Sequence, residues 1–392
     1  MNANISAEER LARIQLNAFL YLRADWLERL IEIFGSAQEI LRQDAKTLSQ
    51  EANLNPDTAA KLLQAAFSVN PQEEWDKTEK LGGHIYVPED NEYPQSLRNC
   101  KEAPLAIYVL GKLPPDEHAC VAVVGTRKIT PYGRRVTRKL GEELASAGVT
   151  IISGLARGID SEAHAACVRL KKPTVAVIGT GIGRCYPAEN RALEKALLEH
   201  GGAVVSELPF NSPPNAFHFP RRNRIIAALS QPVVVVEGEV KSGALITAKL
   251  ALEMGKDVLA VPGPIDSPQS GGPNSLIRQG AGVVTSVADI LDYIPQQSRF
   301  GLDARFFEHT PQTPDKPQET LSERQQQVMQ IIGTGSCSLD QVAEGLQADV
   351  PEVAGLLFEL EVQGFLACEN GLYSKSKFSL IKEVNYGNQH KS

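Results

Sequence analysis

Six loops of this chain supply glycine, hydroxyl, amide or guanidinium groups. They read GTRKITPYG (125–133), SGLARGID (153–160), GTGIGRCYPAEN (179–190), ELPFNSPPNAFHFPRRNR (207–224), EGEVKSGALITA (237–248) and PGPIDSPQSGGPNSL (262–276). Glycine at a junction permits positive φ, or lets a ligand approach where a Cβ would obstruct it. A helix starting just after such a junction offers free N–H groups and the positive end of its dipole. The chemistry these residues suit is therefore anion binding, with phosphate as the expected guest. SGLARGID alone leaves two readings open: a phosphate cradle, or a tight strand-to-helix turn with Arg157 solvated.

Catalytic sets are harder to assemble. GTGIG has the spacing GxGxG rather than GxGxxG and follows the third apolar run rather than the first, which argues against a dinucleotide fingerprint. A Walker-type lysine motif is absent. His164 follows SGLARGID on a helix, as either a buried histidine or a general base. Glu207 and Glu237 end adjacent strands and read either as a carboxylate pair or as acceptors for loop N–H groups. The six cysteines lack CxxC pairing and histidine neighbours at ligand spacing, so they read as reduced thiols and no metal or other cofactor is implied.

These loops need strands and helices to position them. From residue 119 short apolar runs, VAVVG, VTIIS, TVAVIG, AVVSEL, VVVVE, VLAVPG and VVT, alternate with amphipathic segments. Strands buried on both faces and joined by helices predict an α/β fold with a Rossmann-like parallel sheet, whose ligands sit beyond the carboxyl ends of the strands. Residues 1–80 carry apolar positions at helical spacing and predict a helical, SAM-like domain; 81–295 form the Rossmann-like domain. The Pro, Gln and Thr-rich stretch 296–320 reads as a linker. In 321–380, capping boxes start helices at Ser322 and Ser338, a third helix comes next, and Asn370-Gly371 marks a hairpin, the layout of a winged helix.

The 392 residues carry a formal net charge of −7, with 42% hydrophobic and 22% charged residues. Neither an apolar run long enough to span a membrane nor a signal-peptide core is expected, which predicts a cytoplasmic protein without membrane association. Charge is segregated. Residues 121–140 hold Arg127, Lys128, Arg134, Arg135, Arg138 and Lys139 without an acid, and 208–236 hold Arg221, Arg222 and Arg224 without an acid. Residues 325–374 hold seven acids and no lysine or arginine. A polyanion is thus expected in the middle of the chain, and the acidic winged helix is expected to repel duplex DNA and to contact protein.

In order, VAVVGTRKITPYG, IISGLARGIDSEAH, YPAENRALE, SELPF, FHFPRRNRIIAALS, KSGALITAKLALEMGKDVLAVPG and GPNSLIRQGA resemble the core of the DNA-processing protein A family (DprA, also called Smf), over roughly residues 85–292. The resemblance implies a protein without catalytic activity. It would bind single-stranded DNA, protect it, form a homodimer through its Rossmann-like domain and load the RecA recombinase in natural transformation and recombination. The implied phosphate grip comprises Gly125, Thr126 and Arg127, with Ser153, Gly154, Arg157 and Gly158 on the same trough. Arg221, Asn223 and Arg224 of FPRRNR, and Lys241 and Ser242 of KSGALITA, complete it. Arg184 and Asn190 flank the YPAEN segment, where members often place a lysine and this chain has Ala188 and Glu189. Tyr186, Phe217 and Phe219 are implied stacking platforms, at about 1–3 kcal/mol per base. The competing reading is a nucleotide-processing enzyme of the lysine-decarboxylase-like group, whose PGGxGTxxE signature is replaced here by EGEVKSGALITA.

Overall fold

The computed structural model describes residues 5–19, 24–100, 102–306, 321–333, 335–362, 365–369 and 371–375. The chain divides into two compact units, Met1–His309 and Thr310–Ser392. Residues 307–320 of the expected linker, and Asn370 of the expected hairpin turn, lie outside the described residues.

The first unit opens with six helices: α1 (Ala7–Leu16), α2 (Ala24–Phe34), α3 (Ala37–Arg42), α4 (Ala45–Glu51), α5 (Pro56–Phe67) and α6 (Pro71–Lys80). Their starts obey capping rules. The side chains of Ser6, Ser36, Asp44, Asn55 and Asn70 accept N–H bonds of the first turns, and Pro56 and Pro71 sit where a missing N–H costs nothing. The helices share a core around Leu16, Leu30, Ile40, Leu48 and Leu62. They dock on the sheet of the same unit through Asn17, whose side chain donates to Glu207 O (2.7 Å) and accepts from Ala106 N (3.2 Å).

Nine strands form that sheet: β1 (Gly83–Tyr86), β2 (Ile107–Gly111), β3 (Cys120–Val124), β4 (Thr150–Ser153), β5 (Thr174–Val177), β6 (Ala203–Ser206), β7 (Val233–Val235), β8 (Val258–Ala260) and β9 (Gly282–Val283). Their order is β1-β2-β6-β5-β4-β3-β7-β8-β9. β3 to β9 pair in parallel, and β1-β2-β6 extend the sheet antiparallel. All seven apolar runs read from the sequence are thus parallel strands, and two large clusters of Val, Ile, Leu and Ala cover the two faces. The connecting helices are α7 (Gln95–Arg98), α8 (Pro131–Ala147), α9 (Ile159–Arg169), α10 (Arg191–Glu199), α11 (His218–Leu229), α12 (Gly243–Glu253), α13 (Gly271–Arg278) and α14 (Val287–Leu291). The strand order reverses between β3 and β7. That switch point opens a crevice beyond the strand ends, flanked by the loops before α8 and α12.

The second unit holds α15 (Glu323–Ile332), β10 (Ser336–Ser338), α16 (Leu339–Leu346), α17 (Val350–Val362), β11 (Leu366–Glu369) and β12 (Leu372–Lys375), with an antiparallel sheet ordered β10-β12-β11. Both expected capping boxes are formed, at Ser322 with Gln325 and Ser338 with Gln341. The short β10 was not legible in the sequence. Among the described residues, no helix is long and apolar enough to cross a membrane.

α8 and α9 pack closely because Gly141 faces Ala166; a Cβ at Gly141 would stand 2.7 Å from the Ala166 Cβ. Gly141→Leu should therefore cost about 1–3 kcal/mol by overpacking, seen as a lower urea midpoint; an unchanged midpoint would show that the two helices can slide apart freely.

Candidate nucleic-acid interface

The crevice at the switch point is a cleft of about 690 Å³. One wall is the loop after β3 with Gly125, Thr126, Arg127 and Lys128; the opposite wall is Lys241, Ser242 and the first turn of α12. Tyr186, Phe219 and Asn223 close it from the side. Eight of the residues read from the sequence are thereby brought together: Gly125, Thr126, Arg127, Tyr186, Phe219, Asn223, Lys241 and Ser242.

An aromatic and guanidinium stack gives the cleft its shape. The Arg127 guanidinium lies 5.1 Å from the centroid of the Phe219 ring, and Phe219 and Tyr186 are tilted with centroids 5.6 Å apart. Both spacings suit cation–π and offset aromatic contact. The result is a planar, cationic surface against which flat, electron-rich groups can stack.

The donors are distributed differently from the sequence reading. Thr126 N–H bonds Glu237 O (2.8 Å) and Lys128 N–H bonds the Thr126 hydroxyl (3.0 Å), so these loop amides are occupied within the protein. Gly125 is glycine because a Cβ would collide with Ile159 and with Glu237 O. Sequence reasoning reached Lys241 and Ser242 but missed the turn of α12 that follows them. Gly243 and Ala244 line the cleft, and Ser242, at the N-cap, keeps its Oγ buried without a hydrogen-bond partner. A helix N-terminus with an unspent hydroxyl favours an anion, and Ser-Gly before a helical run was the available signal.

The structure reassigns SGLARGID. Ser153 is fully buried, and its hydroxyl donates to Val123 O (2.6 Å). Gly154 lies against the Arg222 guanidinium, where a Cβ would not fit, and Gly158, at φ +84°, packs on the backbone of Thr126 and Arg127. Ile159 N–H then bonds Thr126 O (3.1 Å), so this turn is a shelf under the Gly125–Lys128 loop. Arg157 stands outside the cleft, held by Glu189 through two bonds of 2.5 and 2.7 Å.

Other predicted residues are likewise engaged. Arg184 donates to Asn211 O (2.8 Å), and Asn190 donates to Leu155 O (2.8 Å) and Ser161 Oγ (2.9 Å). Arg224, 4% exposed, pairs with Glu207, and Arg221 lies 3.4 Å from the same carboxylate. Neither lines the switch-point cleft. Phe217 is 79% exposed and lies outside it. Glu237 accepts from Thr130 N–H (3.0 Å) and from its hydroxyl, and Glu207 is held by arginines, so both strand-end carboxylates serve as acceptors. In GTGIG, Gly181 and Gly183 donate their N–H groups to Ser212 O and Phe210 O, both at 3.0 Å, which packs the loop after β6. Among the described residues, no cluster of three His, Cys, Asp or Glu could hold a metal.

Arg222 lies beneath the cleft, and burial lowers its pKa to about 10 despite the nearby Asp160. Burial raises the Asp160 carboxyl more than Arg222 lowers it. His164 is fully buried, with Nδ1 2.9 Å from the Thr174 hydroxyl; burial first, then the Arg222 charge, press its pKa down to about 3.

The comparisons with known proteins agree with this architecture. Residues 84–295 match the family described as DNA recombination-mediator protein A, and residues 312–371 match the DprA winged helix domain. Protein Smf of Escherichia coli (strain K12) is 42% identical over 299 residues, covering 74% of this chain and 77% of the relative. Protein Smf of Synechocystis sp. is 31% identical over 372 residues, covering 88% and 93%. The X-ray structure of DNA processing protein A (DprA) from Streptococcus pneumoniae gives a TM-score of 0.61 at 31% identity, covering 73% of this chain and 98% of that one.

These pairings have measurable effects on stability. Glu207→Gln strands two guanidiniums and should cost about 3–5 kcal/mol by urea unfolding, whereas Arg157→Ala, at an exposed pair, should leave the midpoint unchanged. For His164, the unfolded ring takes up a proton near the ordinary value of 6.5 while the folded ring refuses it until about 3. Stability should therefore fall as pH drops from 6.5 towards 3, and His164→Gln should flatten the pH dependence of the midpoint; an unchanged slope would contradict the assignment.

Proposed function

The chain belongs to the DNA recombination-mediator protein A family, and from that premise we propose that the switch-point cleft is where it holds a single strand of DNA. The observation that carries this reading is the Arg127–Phe219–Tyr186 stack facing the open first turn of α12 across one cleft. Bases stack on aromatic faces whatever their identity, and each base so held contributes about 1–3 kcal/mol. Phosphates take the charges of Arg127, Lys128 and Lys241 and the N-terminus of α12. A duplex buries its base faces and cannot use the stack, so the cleft selects single strands without selecting sequence.

On the same premise, two copies pair through the sheet unit, and the held strand is protected and passed to the RecA recombinase in the cytoplasm, during natural transformation and recombination. Val283, 45% exposed on the edge strand β9, offers an apolar side chain at that end of the sheet. We assign no catalytic step to the cleft. The winged-helix unit, with no lysine or arginine between residues 325 and 374, is assigned to protein contact rather than to duplex DNA.

Glu189 lies in the YPAEN segment, where members often carry a lysine and this chain has Ala188 and Glu189, and its carboxylate holds Arg157 as a phosphate would. It therefore competes with the strand for that guanidinium.

The test is fluorescence anisotropy of a labelled dT oligonucleotide across a salt series, beside a matched duplex. Wild type should prefer the single strand, and Arg127→Glu should lose most of the binding. Glu189→Gln should tighten binding several-fold and steepen the log–log salt slope by about 0.7, one added phosphate contact. Equal binding of duplex and single strand, unaffected by Arg127→Glu, would overturn the reading in favour of a small-nucleotide site.

A further inference from the structure

The loop that supplies Arg127 and Lys128 to the cleft runs directly into α8, and the first two turns of that helix expose Arg134, Arg135 and Arg138. We propose that this face of α8 is a second, contiguous binding surface that takes the backbone phosphates of the single strand as it leaves the cleft. The inference rests on the cleft reading and extends its footprint.

The face is built, not merely basic. Glu162 of α9, with its side chain 7% exposed, receives three guanidiniums: Arg134 at 3.1 Å, Arg138 at 3.2 Å and Arg169 at 3.1 Å. Arg169 also pairs with Glu142 at 2.9 Å. Arg135 lies 5.9 Å from the Tyr132 ring centroid, with a weak 3.4 Å bond to Pro131 O. Lys139 pairs with Glu143 at 3.9 Å. Apart from that last pair, the four arginines of this face, Arg134, Arg135, Arg138 and Arg169, have two carboxylates among them, Glu162 and Glu142. One buried carboxylate needs far less than three arginines to satisfy it, so core pairing does not explain the excess.

The buried anchor has a second effect. Arg134 and Arg138 are about half exposed, at 55% and 51%, yet each is fixed from below by Glu162. Their rotamers are already ordered, which lowers the entropy lost when a phosphate docks. They stand one turn apart, about 6 Å along the axis. A row of held guanidiniums beside the cleft on a chain of net charge −7 matches a linear polyanion entering that cleft. Its one aromatic ring, Tyr132, lies beside Arg135, so the face presents guanidiniums that suit backbone phosphates rather than bases.

Two dT oligonucleotides separate the surfaces: one of about 6 residues that fills the cleft, and one of about 20 that also reaches α8. Wild type should bind the longer one with a log–log salt slope steeper by about 2, three phosphates at about 0.7 each. The variant R134Q/R135Q/R138Q, its fold checked by thermal melting, should keep the short oligonucleotide and drop the long one to the short one's slope, at least tenfold weaker at low salt. Arg135→Glu, which does not touch Glu162, should by itself reduce the long-oligonucleotide slope by about 0.7 and decides the matter if the triple variant melts early. Arg127→Glu should lose both lengths, which is the failure mode of the cleft and not of the ridge. Unchanged long-oligonucleotide affinity and slope in folded Arg135→Glu and in the triple variant would overturn the proposal and leave the ridge to an acidic protein surface.

Discussion

A buried guanidinium lies beneath the cleft and ties two strand ends together. Arg222 reaches from α11 and donates to Gly154 O (2.7 Å), after β4, and to Val177 O, at the end of β5. Burying a cation is costly unless its donors are met and a counter-charge is near; the two carbonyls and Asp160 meet those conditions. In return the two parallel strand ends are fixed at one spacing. Gly154 must then be glycine, because any Cβ would enter the guanidinium. The turn after it is set, Ile159 N–H meets Thr126 O, and the loop carrying Arg127 stands where it can face Phe219. The cleft therefore depends on an arginine that offers little of itself to solvent.

That dependence explains what could and could not be read from the residues. The sheet was legible because buried parallel strands demand continuous Val, Ile and Ala runs, and the helix starts were legible because Ser, Asp and Asn caps solve a local problem. The position of the cleft was legible too, since loops at strand ends are where glycine and donors collect. The division of labour within FPRRNR was not. One signal was available: Arg222 precedes Ile225 and Ile226 by three and four residues, which puts it on their buried face of α11. The pairing of Arg224 with Glu207 joins segments that no local spacing relates. For the same reason SGLARGID and GTGIG resemble phosphate loops while serving other glycine needs. Both let one piece of backbone or a buried side chain approach another.

The remaining accessible charge is small and well placed. Of the arginines in the loops around the cleft, Arg157, Arg221, Arg222 and Arg224 are compensated by Glu189, Glu207 and Asp160, which leaves Arg127, Lys128 and Lys241 as the outward cations of the cleft itself, beside Glu239 and next to the α8 arginines. If the cleft holds a strand as proposed, its three outward cations supply only part of the affinity, and stacking on Phe219 and Tyr186 supplies the rest. The distance over which each effect acts then matters. The net charge of −7 repels any nucleic acid over a Debye length, about 8 Å at physiological salt and about 30 Å at 0.01 M. Stacking acts only on contact and is indifferent to salt. On the proposed reading, a strand that presents its bases gains the stack on entering the cleft, while a duplex, whose base faces are buried, does not. Single-strand selectivity, as proposed, would then be the balance of a screened, chain-wide repulsion against a short-range stack, with no base-specific contact required.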